Sequence, residues 1–375
     1  MKFAALLLSL LALSIAPAAS AENATPDDTA RFLAGLAPAP DSPLAPLTRD
    51  PSWQRHANYF NSIFGQEERS HISKVRAFAK TRLGTSHDAM FYMFSGPDAL
   101  HAIAFFPNAT TYVLAGLEPA GDIPSLTGMS RGTLMHSVQG LEPALSTLLS
   151  FSFFITKRMH SDLHPGPING TLPIIYVFLA RSGKTIHEMS FVNLDNEGNE
   201  KPPGEAPRSA AKGVKIVFSA GDGPKQTMYY FSTNLANDGL KTSGFLTFLE
   251  KLGPADSFLK SASYLLHSGN FSTVRNFLLD HSALILQDDS GIPVRYFDRK
   301  KWQLQPVGHY SGPIPIFAQH YQPQMSELFR RGQTLPMDFG VGYRWRLNDS
   351  NLLLAQRIGE IKPAEVEAKP EAKPN

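Results

Sequence analysis

The 375-residue sequence predicts an α/β protein: a mixed sheet with an N-terminal parallel βαβ core, extended by antiparallel hairpins, with helices packed on the sheet. Three observations predict it. Apolar runs of strand length alternate with helical stretches through the first half of the chain. The runs MFYMF and TYVLAGL are too far apart for a tight hairpin, and their spacing of about a dozen residues suits a parallel crossover through a helix. Further on, glycine turns between alternating runs mark antiparallel pairs.

Residues 1–21 stand apart from the fold. Lys2 precedes an uninterrupted apolar run from Phe3 to Ala16, and the small residues Ala19-Ser20-Ala21 follow. That run is too short for a bilayer of about 30 Å of hydrocarbon, so the pattern predicts a secretory signal peptide cleaved after Ala21. The mature chain is expected in the periplasm or outside the cell, with no membrane span. A chain with no cysteine has no disulfide, thiolate metal site, cysteine nucleophile or lipid-bearing cysteine. A formal net charge of +2 gives no electrostatic reason to expect nucleic acid as a partner. Residues 22–51 read as a proline- and alanine-rich extended leader, residues 52–357 as a single globular domain, and residues 358–375, rich in Lys, Glu and Pro, as a disordered tail. The oligomeric state is left open.

Within the domain, Ile72, Val75, Ala79 and Leu83 fall at helical spacing, and Gly84 stops that helix. The strand MFYMF, an N-cap at Asp98, the helix ALHAIAFF and the strand TYVLAGL follow. Glu118 comes directly after. This strand-helix-strand-acid order resembles that of Rossmann-type dehydrogenases and methyltransferases, and in that order alone. Gly96 stands without the other fingerprint glycines, and Pro97 has no N–H to offer a phosphate. The expectation is therefore a scaffold with no organic cofactor. If the strands are parallel, Asp98 and Glu118 share the carboxyl edge of the sheet, where Asp195 ends a later predicted strand. Such clustered carboxylates suit a small polar or cationic ligand, a divalent metal included.

The remaining elements follow in order. PALSTLLSFSFFITKRM and LPIIYVFLARSG read as helices, IHEMSFVNLD as a strand, and NEGNEKPPGEAPRSAAKG as a surface loop. A hairpin turns at Gly221-Asp222-Gly223. GFLTFLEKLG, DSFLKSASYLLHSG and FSTVRNFLLD read as three helices, ALILQDDSGIPVRYF as a hairpin turning at Asp288–Gly291, and FGVGYRWRL as a closing strand.

Three short motifs carry chemistry by residue type. GMSRG places Ser130 where a nucleophile elbow would hold it, although no apolar strand precedes it. His160, Asp162 and His164 are ligand types for zinc or a general base. The DFG at 338–340 lacks every companion motif of a kinase and is read as chance. In the aromatic, proline-stiffened segment near residue 310, Trp302, His309 and Tyr310 are candidates to wall a pocket. The sequence points to an exported protein binding a polar ligand at the sheet's carboxyl edge. An exported hydrolase, using Ser130 or a metal at His160-Asp162-His164, and a non-catalytic envelope interaction protein are the alternatives.

Overall fold

The structure is a computed structural model that describes residues 23–84, 87–143, 145, 149 and 166–359. Residues 1–22, most of the expected helix PALSTLLSFSFFITKRM, His160, Asp162, His164 and the tail from residue 360 lie outside the described residues. From the N-terminus come α1 (Pro26–Leu33) and α2 (Pro51–Glu67), which passes through a π-helical turn at Glu68–Ile72 into α3 (Ser73–Arg82). Then follow β1 (Ala89–Met93), α4 (Ala99–Phe105), β2 (Thr111–Gly116), α5 (Arg131–Gln139) and α6 (Leu172–Arg181). Strands β3 (Lys184–Leu194), β4 (Glu200–Lys201), β5 (Lys212–Ala220) and β6 (Gln226–Ser232) come next. The chain continues through α7 (Phe245–Leu252), β7 (Ala255–Leu259), α8 (Ser272–His281), β8 (Ser282–Gln287), β9 (Trp302–Gly308), α9 (Pro323–Arg331) and β10 (Asn351–Arg357).

All ten strands form one mixed sheet, ordered β4-β3-β5-β6-β2-β1-β7-β8-β10-β9. β6, β2, β1, β7 and β8 are parallel neighbours. Their burial explains the arrangement: every residue of β1 and of β7 is buried, as a parallel strand covered on both faces requires. From β1, Met90 and Tyr92 enter a core with α1 to α6, whereas Ala89, Phe91 and Met93 enter a second core with α7 and α8. Helices thus cover both faces. The chain leaves β1 toward β2 on one side and later returns to β7 on the other. This makes β1 the switch point, where open α/β sheets leave a crevice beyond the carboxyl ends.

The α/β class, the parallel βαβ opening, the Asp98 cap and the hairpin at Gly221 stand as expected. Four expectations are corrected. DSFLKSASYLLHSG is not a helix: its first residues form β7, which pairs with β1 in the middle of the sheet. ALILQDDSGIPVRYF is not a hairpin, because β8 pairs with β7 and β10 and the chain after Asp288 leaves the sheet. Arg344 and Val341 share one isolated bridge, and the closing strand lies beyond them at β10. Nor is the leader loosely packed: α1 buries Ala30, Phe32 and Leu33, with Thr25 capping its start. Pro26 and Pro51 sit at first-turn positions of α1 and α2, where a missing N–H costs nothing.

Candidate functional site

Parallel strands deliver their C-terminal loops to one rim, and that rim holds an open cleft of about 140 Å³. The turn after β1 contributes Phe94, Ser95, Gly96 and Asp98, and the turn after β2 contributes Leu117 and Glu118. Thr233, Asn234 and Leu235 follow β6, and Lys260 to Ser263 follow β7. Asp98 and Glu118 do share this rim, as the sequence suggested, but they differ in kind. Glu118 is half-buried at the mouth, while Asp98 is 1% exposed at the floor.

Asp98 is the hub of a buried polar network. Tyr92 Oη donates to its Oδ2 at 2.8 Å, and Lys260 Nζ lies 2.7 Å from the same atom. His101 Nδ1 meets Oδ1 at 2.9 Å, on the turn that Asp98 itself caps. Burial alone would raise the Asp98 pKa, but the charge of Lys260 and the hydrogen bonds from His101 and Lys260 outweigh it and hold the carboxyl well below the usual range. Burial lowers His101 too. With that imidazole neutral, the Asp98 carboxylate is balanced by the Lys260 ammonium.

The network continues away from the cleft. A proton on His101 Nδ1, directed at Asp98, leaves Nε2 as an acceptor, and this atom faces His71 Nε2 at 3.2 Å. His71 then carries its proton on Nε2 and turns Nδ1 toward Glu67, 3.9 Å away. Burial, with help from His101 and Lys260, lowers His71 to about 3. Burial raises Glu67 to about 7, against the pull of Lys260. Glu67 and His71 line a second cleft between α2 and the 338–347 loop. A line of titratable groups therefore joins the two concavities.

Backbone strain gathers at the first cleft. Phe94, Ser261, Ser263 and Tyr264 are the non-glycine residues with positive φ among those described, at 50° to 61°. Three line the cleft and Tyr264 follows directly. Such conformations cost on the order of 1–3 kcal/mol each and persist only where the surroundings enforce them. The enforcing groups are two adjacent buried acids after β8. Asp288 accepts from Ser261 N at 2.9 Å and from Ser290 N at 3.0 Å. Asp289 accepts from Tyr264 Oη at 2.7 Å. Ser261 Oγ, buried on the cleft wall, has no hydrogen-bond partner among the described residues.

Burial, reinforced by the charge of Asp289, raises Asp288 from 3.8 to about 7. Burial raises Asp289 as well. An acid whose folded pKa exceeds its unfolded value binds more protons in the native state between the two. The stability it contributes therefore falls as pH rises through that window. Asp288→Asn is expected to flatten the decline in stability between about pH 4 and pH 7, as read by urea denaturation of both proteins across that range. Parallel curves for the two would show that Asp288 does not titrate there.

Most other sequence candidates lie away from this cleft. Asp195 closes the β3–β4 turn, accepting from Asn199 N at 2.7 Å and Asn199 Nδ2 at 2.9 Å. Ser130 caps α5, its hydroxyl accepting from Thr133 N. Trp302 is buried in the second core beneath the Arg357 guanidinium. Tyr310 is buried with Met325 and Leu353, and His309 is exposed. Neither these two nor Trp302 lines the cleft. Phe339 of the DFG fills the core between Phe78 and Phe105. The cation idea meets a different occupant, because Lys260 already sits on the Asp98 carboxylate. Among the described residues no group of three His, Asp or Glu side chains is placed to hold a metal.

Lys260, Tyr92, His101 and the Asp288-Asp289 pair escaped the sequence reading. Only Asp98-His101, at i,i+3 across a helix start, left a usable signal. No helix among the described residues is long and apolar enough to cross a membrane. No family model, curated protein or solved structure matches the chain, so the functional reading rests on this geometry.

Proposed function

We propose that this is an exported protein that binds a small polar ligand in the cleft at the carboxyl edge of β2, β1 and β7. The observation that carries the reading is convergence. One rim combines the sheet's switch point, a half-buried carboxylate, an ammonium held in a buried network, an unpartnered serine hydroxyl and the strained residues. Strain and buried charge both cost stability, and folds retain them chiefly where a site is held ready. Phe94, Phe271, Leu235 and Leu265 supply apolar wall, the composition expected of a small-molecule site. Export rests on Lys2, the Phe3–Ala16 run and the Ala19-Ser20-Ala21 site.

The test begins with the protein recovered from the periplasm or medium, where its first residue is expected to be Glu22. That chain is screened by thermal melting against amino acids, sugars, organic acids, polyamines and nucleosides. A ligand present at about 100 times its Kd should stabilise by about 2.7 kcal/mol, a shift of several degrees. The shift should shrink in Glu118→Gln. A chain that retains residues 1–21 removes the export reading. A screen without a Glu118-sensitive hit removes the binding reading.

A further inference from the structure

We propose that the second cleft, between α2 and the 338–347 loop, binds a free α-amino acid with an apolar side chain. This site is separate from the cleft at the sheet edge and does not depend on it. The second cleft encloses about 610 Å³, a volume typical of small-molecule sites. One wall is a stripe along α2 and its continuation into α3, where Tyr59, Ile63, Glu67, His71 and Lys74 follow at helical spacing. The π turn at Glu68–Ile72 falls within this stripe. Such turns are rare, and inside α-helices they gather at functional sites. Trp345, Arg346 and Leu347 line the loop side. Unlike the floor of the first cleft, these walls are open to solvent. The Glu67 and His71 side chains are 16% and 13% exposed, and Tyr59 and Leu347 are large apolar residues left exposed.

The polar groups match the two charges of an amino acid. With the His71 Nε2 proton given to His101, Nδ1 is an acceptor, and it lies 3.9 Å from Glu67 Oε1. That gap is too long for a hydrogen bond, and no other hydrogen bond reaches the Glu67 carboxyl among the described residues. Two acceptors therefore face each other with no donor between them. A ligand ammonium has three N–H groups and supplies both. A hydroxyl could donate, but it would leave the charge of a largely buried carboxylate uncompensated. Lys74 Nζ makes one hydrogen bond, to the Asp338 carbonyl at 2.9 Å, and the Arg346 guanidinium lies over the Trp345 ring. Neither cation meets a carboxylate among the described residues, so both keep donors for a ligand carboxylate. With Glu67 ionised, the lining carries two acids, Glu67 and Asp338, and two cations, Lys74 and Arg346. A zwitterion suits that balance better than an amine or an acid alone. Burial holds Glu67 up at about 7, with Lys260 drawing it down and Glu68 pushing it up. An ammonium favours the ionised acid, so binding expels a proton and strengthens as pH rises through 7.

Calorimetric titration of the mature chain with leucine, phenylalanine and tryptophan tests the proposal, alongside the amine and the carboxylic acid that share each side chain. At least one amino acid is expected to bind, its amine and its acid each more weakly by about tenfold or more. Glu67→Gln should weaken the amino acid and the amine by about tenfold and spare the acid. Arg346→Met should weaken the amino acid and the acid and spare the amine. Without ligand, both variants should melt no lower than the wild type. From about pH 6 to about pH 8 the wild-type affinity should rise about tenfold, and Glu67→Gln should abolish that rise. Glu118→Gln should bind the amino acid as the wild type does. An amino acid whose binding needs Glu118 and ignores Glu67 occupies the sheet-edge cleft, which overturns the assignment here and supports the earlier reading. An amine that binds as tightly as its amino acid overturns the zwitterion. A titration in which no amino acid binds overturns the proposal and leaves the first cleft untouched.

Discussion

Lys260→Met is expected to destabilise the protein by about 3–5 kcal/mol, because removing one member of a buried ion pair strands the other charge in a low dielectric. Lys260 and Asp98 are 3% and 1% exposed, so solvent is poorly placed to replace the ammonium. The second half of the experiment gives the number its meaning. Adding Asp98→Asn to Lys260→Met removes the stranded charge, keeps an oxygen for His101 while its NH2 can donate to the Tyr92 hydroxyl, and should recover much of the loss. Urea denaturation of the four proteins completes a double-mutant cycle, in which strong coupling is expected. A loss below about 1 kcal/mol for Lys260→Met, or additivity in the cycle, would mean that the pair is hydrated and the network is not as described.

That cost bears directly on function. The network does not touch the mouth of the cleft; it fixes the turn from which the cleft is built. Asp98 caps α4, Lys260 extends from the end of β7, and their contact ties the loops after two neighbouring strands together. On the far side, Asp288 and Asp289 tie the strained 261–264 segment to the loop after β8. The rim is rigid because buried charge and hydrogen bonds hold conformations that the backbone alone would not adopt. A site held in this way binds without first having to order its loops.

How much of this was legible depends on the periodicity of each stretch. The βαβ opening could be read because MFYMF and TYVLAGL are short apolar runs and Asp98 precedes a helical stretch. β7 could not. Phe258, Leu259, Ala262, Leu265 and Leu266 recur at helical spacing, yet the first two belong to a parallel strand buried on both faces and the others to the bent segment after it. A central parallel strand shows no alternation, so spacing favours the wrong element. That one misreading hid Lys260, which looks like a solvated lysine on a helix and is instead the counter-charge of Asp98. The aspartates after β8 were hidden in the same way, since QDDSG reads as an exposed turn. Glu118 was visible, because its position depends on chain order alone. Non-local pairing placed the rest, and one sequence carries no direct record of which strands lie together.

The aromatic layer beneath the network should be the most sensitive part of the core. Phe258, fully buried on β7, packs its ring 4.6 Å from Tyr92 and 4.8 Å from Phe105. Phe258→Ala removes a side chain that the surrounding strands cannot collapse upon, so a loss of about 3–5 kcal/mol is expected. Phe258→Leu keeps most of the volume and should lose distinctly less. The cavity also frees one face of Tyr92, whose hydroxyl holds Asp98. Ligand affinity at the cleft should therefore fall in Phe258→Ala at temperatures where the protein is still folded, and Tyr92→Phe should reproduce part of that fall with a smaller stability loss of about 1.5–3 kcal/mol. If Phe258→Ala weakens the fold while leaving affinity untouched, the aromatic layer supports the sheet alone and the turn holding Asp98 is fixed by Lys260 and His101 without it.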